Sequence, residues 1–453
     1  MSIKDSLFND FPSISSKQWK QKIQFDLKGA DYNETLITET LEGINIKPFY
    51  HNDSFKQLDI PENDEEFKIC QTIFISNDQT ANFLAKDALK RGADSIQFIA
   101  DKKFDFKIVL DDISNVTIYF QLLFLDKEFV FDLINFSETL KVYLNIDLIG
   151  NLVKTGNWFY NNQKDHEILK SILKKETDTS SALGVDVSVY QNAGANTVQQ
   201  VAYALAHVNE YLNFIHNNEI NLVKDINFTF SIGSNYFFEI AKLRAFKYLW
   251  KLLLKEYNFN INANLFTQPT LRNKTVYDYN VNMLRTTSES MSAILGGAHV
   301  LSNASYDTIF HKKNEFGERI ARNQLIVLKE ESYLKSNATV HGAYYIEELT
   351  FEIANKALKT FKEIEKSGGF VKQLFEGIIQ RKINENAQKE QDLFDKGELV
   401  LLGTNMHTNL IDRMNQELEI YPFVKKKNHQ TIIQPITAKR LAEKLELNRL
   451  KSE

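Results

Sequence analysis

Between residues 70 and 303, short runs rich in β-branched and aromatic side chains alternate with longer stretches whose apolar residues recur at helical spacing. The runs fall at 72–76, 95–100, 116–122, 141–149, 183–190, 226–231, 261–267 and 299–303. Strands joined through helical crossovers pair in parallel, because a tight hairpin joins only antiparallel neighbours. Eight such units predict a (β/α)8 barrel, for which about 250 residues is typical. The stretch 128–136 also admits a strand reading.

The flanks read differently. The first 45 residues are polar, with isolated aromatics at Phe8, Phe11, Trp19, Phe25 and Tyr32. A helix is expected over 19–27, capped by Ser15 or Ser16 and stopped by Gly29. Its aromatics must bury either on the chain's own body or on a partner. Helical spacing also predicts helices over 236–257, 282–295, 345–366 and 370–391. On the first of these, Arg244, Lys247, Lys251 and Lys255 form one polar stripe. The tail is charged, carries a lysine run at 425–427 read as solvated surface, and ends in a helical stretch at 438–450. The expected organisation is an N-terminal arm over 1–50, the barrel over 51–385 and a C-terminal helical extension over 386–453.

Composition removes several functions. Lys and Arg number 54 against 59 Asp and Glu, a net charge of −5, so bulk positive charge cannot drive nucleic-acid binding. Cys70 is the only cysteine, which excludes an internal disulfide, a multi-cysteine zinc site and an iron–sulfur cluster in this chain. Apolar runs such as 116–120 fall far below the ~18 residues of a membrane span, and the N-terminus lacks a signal-peptide pattern. A cytoplasmic location is expected.

Motifs for chemistry are sparse. The nine histidines, at 51, 166, 207, 216, 299, 311, 341, 407 and 429, form no H-E-x-x-H pair. No G-x-G-x-x-G, phosphate loop or G-x-S-x-G elbow occurs. Barrel enzymes work at the C-terminal ends of their strands. The ends read here are Ser76-Asn77-Asp78, Tyr190-Gln191-Asn192, Ser231 to Asn235, Thr267-Gln268-Pro269 and Ser302 to Ser305. Asp78 is their only carboxylate and no histidine joins it, so this rim looks short of acid–base groups. No catalytic, cofactor-binding or metal-binding residue is nominated.

Several stretches, in order from about 180 to 370, resemble the barrel of the methylmalonyl-CoA mutase family. They are Tyr190 to Ala195 with Val201 to Ala206, Ile232 to Phe237 with Ala241 to Ala245, and Asn282 with Leu284-Arg285-Thr286. Ile320 to Asn323, Glu330-Glu331-Ser332, Gly342, Glu347 to Thr350 and Gly368-Gly369 follow. Leu41-Glu42-Gly43-Ile44 and Lys47 to Tyr50 fit the approach to that barrel. The resemblance implies a barrel that takes acyl-CoA along its axis. It also implies adenosylcobalamin held against a flavodoxin-like domain, for interconversion of methylmalonyl-CoA and succinyl-CoA.

The chain departs from the catalytic pattern. The D-x-H-x-x-G that carries the lower cobalt ligand is missing, and the chain ends about where the linker to the cobalamin domain would finish. That domain is therefore expected to be absent. The histidine after the strand-five tyrosine is lost at Tyr190, and Asn264 to Gln268 replace Arg-Thr-His-Ser-Gln. His299 stands where the family has a glutamine near the corrin.

The resemblance thus implies the non-catalytic small subunit of a heterodimeric mutase. It carries no cofactor itself and pairs with a cobalamin-binding large subunit. Two rival readings are an autonomous acyl-CoA barrel and a docking protein for the G-protein chaperone of mutases. Residue by residue the plain readings are packing for Tyr190, a hydrogen-bonded His299, ion-pair roles for Arg285 and Arg322, and a buried thiol at Cys70. Phe266, Tyr190 and the valines of strand five, Val185, Val187 and Val189, are the candidates to fill the barrel axis.

Overall fold

The computed structural model describes residues 11–61, 65–220, 223–335, 340–425 and 430–453. Eight parallel strands close into a barrel. They are β1 (Lys68–Phe74), β2 (Ser95–Ala100), β3 (Thr117–Leu122), β4 (Lys141–Ile146), β5 (Ser180–Asp186), β6 (Asp225–Ile232), β7 (Asn262–Pro269) and β8 (Val300–Leu301). Closure runs through β8, which pairs with both β1 and β7. Their order in space is their order in sequence. The stretch that also admitted a strand is the helix Lys127–Phe136, capped by Asp126.

Alternation divides each strand between two environments. On β3, Ile118 and Phe120 join the main core under the outer helices, whereas Tyr119 joins a separate inner cluster. The same period-two split puts Ile69 and Ile73 of β1 outward and Cys70 inward.

The helix Tyr236–Tyr257 sits deeper than its polar stripe suggested. Arg244 and Lys247 are buried, and only the C-terminal end of the stripe reaches solvent. Most faces of this helix are apolar, so packing carries the first two cations inside, where Arg244 pairs with Glu347. The run expected over 370–391 is two helices, Phe370–Phe375 and Ile378–Asp395, separated where Gly377 adopts φ +70°.

In the arm, Ser15 caps the helix Ser16–Asp26 through a reciprocal capping box with Gln18. No residue of that helix is buried. Trp19 is 49% exposed and Phe25 78%, while Tyr32 is buried. Phe8 of the expected aromatic set lies outside the described residues, as do Lys426 and Lys427; Lys425 is exposed. A two-stranded hairpin, Thr38–Glu39 with Asn45–Ile46, follows the arm helix. Among the described residues this hairpin and the barrel are the only sheets, and no helix is long and apolar enough to cross a membrane.

Candidate functional site

The barrel axis is filled midway by the chain's own side chains. Cys70, Tyr119, Tyr143, Phe266 and Val300 form the inner cluster. The rings of Tyr119 and Tyr143 stack with centroids 4.9 Å apart, and Phe266 meets Tyr119 edge-on at 5.2 Å. Burial pushes the Cys70 thiol up to about 12, so it is an inert packing group.

An amide chain crosses the same interior. Asn264 donates to the Tyr119 hydroxyl at 3.2 Å and to Asn227 at 2.6 Å, and Asn227 donates to Asn145 at 2.8 Å. Asn145 holds a left-handed backbone, φ +48°, at the register shift of β4 against β5. Gly184 allows this, since a Cβ there would lie 2.7 Å from the Asn145 Cα.

The plug divides the bore in two. Below it, at the N-terminal ends of the strands, lies a basin of about 850 Å³ whose lining includes Lys68, Lys141, Lys247, Asp225, His299, Tyr119 and Tyr143. Above it, at the C-terminal ends, lies a cup of only about 70 Å³ walled by Gln97, Gln121, Asn145, Asp147, Lys154, Asp186, Thr229 and Gln268.

Rim polar groups are committed to one another. The Asp147 carboxylate accepts from His207 Nε2 at 2.9 Å, from the Tyr211 hydroxyl at 2.7 Å, and from the backbone N–H groups of Gly150 and Asp186. Burial pushes its pKa up, but the neighbouring His207 ring and these donors outweigh burial and hold it at about 2. His207 Nδ1 meets the Tyr190 hydroxyl at 2.9 Å. Burial raises Tyr190 well above its ordinary value. The Lys154 ammonium closes on Asp186 across the cup.

Gln191 bonds both Glu239 and Lys242, which are themselves a buried ion pair. Asn192 ties β6 to β7 by donating to Ser231 Oγ and accepting from Thr270 Oγ1 and the Leu271 N–H. A side chain that supplies or removes a proton must reach the reacting atom. These face other side chains instead.

Several sequence-based expectations need correction. Strand five ends at Asp186, and Ser188–Asn192 is a helical turn. Tyr190 therefore packs outward against Tyr203 and Phe370, and Val185, Val187 and Val189 join the outer core. Of the expected plug residues only Phe266 lies in the inner cluster; Cys70, Tyr119, Tyr143 and Val300 supply the rest.

The rim also holds more acid–base groups than its strand ends suggested. Reading β4 to 149 and β5 to 190 hid Asp147 and Asp186, which stand at the true strand ends, and Lys154 and His207 reach the rim from helices. The signal that would have found the two carboxylates was a turn-forming Asp directly after an apolar run.

Arg285 and Arg322 use neutral acceptors: Arg285 bonds Thr275, Asn282 and the Leu402 carbonyl, and Arg322 bonds Gln71. His299 is hydrogen-bonded as expected, accepting from the Leu265 N–H at 2.9 Å. It opens β8 at the N-terminal mouth, the end opposite the C-terminal rim. Burial and then Lys247, Lys141 and Lys68 lower its pKa to about 3. With Nδ1 accepting from a backbone N–H, the neutral ring carries its proton on Nε2, and it stands at the mouth opposite the C-terminal rim, so it does not fit a cobalt ligand. Among the described residues no group of three or more metal-ligating side chains converges.

A parallel eight-stranded barrel with a blocked axis and a rim whose buried charged groups pair with one another defines the class of fold. The family model for methylmalonyl-CoA mutase matches residues 135–451, and the chain belongs to that family. It is 29% identical over 490 aligned positions to the methylmalonyl-CoA mutase small subunit of Porphyromonas gingivalis, an alignment covering 99% of this chain and 79% of that protein. It is 32% identical to the methylmalonyl-CoA mutase of Cereibacter sphaeroides over 58% of this chain and 38% of that one. For the Escherichia coli mutase the figures are 33%, 49% and 33%. The chain thus spans most of that small subunit but only about a third of the length of either mutase.

Proposed function

We propose that this chain is the non-catalytic small subunit of a heterodimeric, adenosylcobalamin-dependent methylmalonyl-CoA mutase, and that it binds and stabilises the catalytic large subunit. The observation that carries this reading is the plug: Tyr119, Tyr143 and Phe266 occupy the axis along which family substrates are expected to thread. The small-subunit relative, matched along nearly the whole chain, supports it.

Adenosylcobalamin and the rearrangement belong, on this reading, to the large subunit. The residues here do not fit the cofactor, since the sequence has no D-x-H-x-x-G and His299 points into the basin. A partner that binds only the folded state stabilises it by mass action. The arm over 1–50, with Trp19 and Phe25 left exposed, supplies contact area, and the protein works in the cytoplasm. The G-protein chaperone of mutases is a further candidate partner.

The basin favours one second reading, an acyl-CoA-binding barrel, because lysines and aromatics line a cavity of about 850 Å³. A pantetheine arm would still have to displace the stacked tyrosines to reach the cup.

The test uses the purified chain alone and mixed with the large subunit. Alone, it should leave the corrin spectrum of adenosylcobalamin unchanged and turn over no methylmalonyl-CoA. Mixed, it should form a stable complex with a raised melting temperature. Stoichiometric corrin binding or turnover by the chain alone would overturn the proposal.

A further inference from the structure

The C-terminal rim is crossed by a strap, residues 430–446, that bonds to it mainly through backbone. The N–H groups of Ile432 and Ile433 both donate to the Gly156 carbonyl, at 2.9 and 3.2 Å. Ile436 donates to Val153, Lys439 to Asn192 and Leu441 to Arg272. The acceptors belong to the segments that follow β4, β5 and β7. At its far end the buried Arg440 bonds the Lys274 carbonyl and pairs with Glu446, which accepts from the Val276 N–H at 2.8 Å.

Gly156 shows how closely the strap lies. It holds φ +79°, and a Cβ there would sit 2.7 Å from the Ile433 carbonyl oxygen and 2.7 Å from the Thr431 Cβ. Real Cβ atoms do not approach backbone so closely, so the strap needs a glycine at this spot.

The contacts bear on the upper cup. Val153 and Gly156 flank Lys154, whose ammonium reaches across the cup to Asp186. Asn192 lies six residues beyond Asp186, at the end of the helical turn that follows β5. One strap therefore grips both supports of the bridge. We propose that residues 430–446 are a clasp that holds the C-terminal rim closed over the upper cup, with Lys154–Asp186 as its latch. Coupling of this kind is reciprocal: loosening either part loosens the other.

Hydrogen exchange on the full chain tests this with two variants, Gly156→Ala at the clasp and Lys154→Met at the latch. In each, amide exchange should rise at least tenfold together in the strap, over 432–441, and in the rim, over 148–155 and 187–192. Exchange in β3 and at the start of β4 should not change, which reports that the variant is folded. If one variant loses protection everywhere, the other decides. A folded variant in which strap or rim loosens alone would overturn the proposal, because the strap would then merely lie on a rim that stands without it.

Discussion

Tyr119 and Tyr143 stack across neighbouring strands with their planes within 5° of parallel, at the middle of the barrel axis. Phe266 closes the third side from β7. Removing that ring leaves a cavity the closed sheet cannot collapse around. Phe266→Ala should cost about 3–5 kcal/mol, read from urea unfolding. Tyr119→Phe keeps the ring but removes the acceptor of the Asn264 amide, and should cost about 1 kcal/mol. A loss near zero for Phe266→Ala would mean the axis is loosely filled.

Asp147 gives stability an acid limb. Its folded pKa is depressed from 3.8 to about 2. Its contribution is therefore present above pH 3.8 and disappears as pH falls through 2, and roughly 2 kcal/mol is at stake. Chemical unfolding between pH 5 and 2 should show this slope in the wild type. Asp147→Asn should be less stable at pH 7 and should lack that part of the slope.

Glu365 works with the opposite sign. Burial first, and then the neighbouring Glu210 charge, raise its pKa from 4.5 to about 7. Asn209 donates to one of its oxygens at 2.9 Å, while the other is buried with no hydrogen-bond partner among the described residues. The stability gained from the protonated form is complete below pH 4.5 and is lost as pH rises through 7. Glu365→Gln should match the wild type in melting temperature near pH 4.5 and exceed it at pH 8. Equal melting temperatures at pH 8 would show that the ionised carboxylate is accommodated without cost.

Trp19 and Phe25 stand on a helix with no buried residue, and the Trp19 ring lies 6.0 Å from that of Phe49. The double variant Trp19→Ala, Phe25→Ala should leave the chain's own melting temperature nearly unchanged. Its affinity for the large subunit should fall more than tenfold, since a buried aromatic anchor contributes about 2 kcal/mol or more. A lowered melting temperature with undiminished affinity would make the arm a structural element of this chain alone. Deleting the whole arm would be a poorer test, because Tyr32 and Ile44 within it are buried.

The reading of strand existence and strand ends separates two kinds of information. All eight strands were legible, because each is a β-rich run bounded by helical spacing. Their ends were legible only in part: 95–100 matches at both ends, whereas the ends of β4 and β5 do not. Where β4 and β5 stop, the chain turns into the helix Leu148–Thr155 and the helical turn Ser188–Asn192, both apolar enough to prolong the strand pattern. The error hid Asp147 and Asp186 and moved Tyr190 onto a strand end. Likewise the cations of Tyr236–Tyr257 read as one polar stripe with no partner named, because one sequence does not say that Glu347, 103 residues from Arg244, waits inside.

The order of strands and helices, the capped arm helix and the family were set by local pattern: side-chain shape, apolar period, cap residues and motifs in register. The state of the axis and the rim was decided only in three dimensions. A strand alternates with period two, so a single residue of register decides whether a ring faces the core or the bore. The plug assembles Tyr119, Tyr143 and Phe266 from β3, β4 and β7, which are adjacent to one another only in part. The rim is sealed by Lys439 and Arg440 reaching back to Asn192 and Lys274. Contacts over such separations form when a closed sheet brings distant positions to one level, and no local propensity along the chain encodes that meeting.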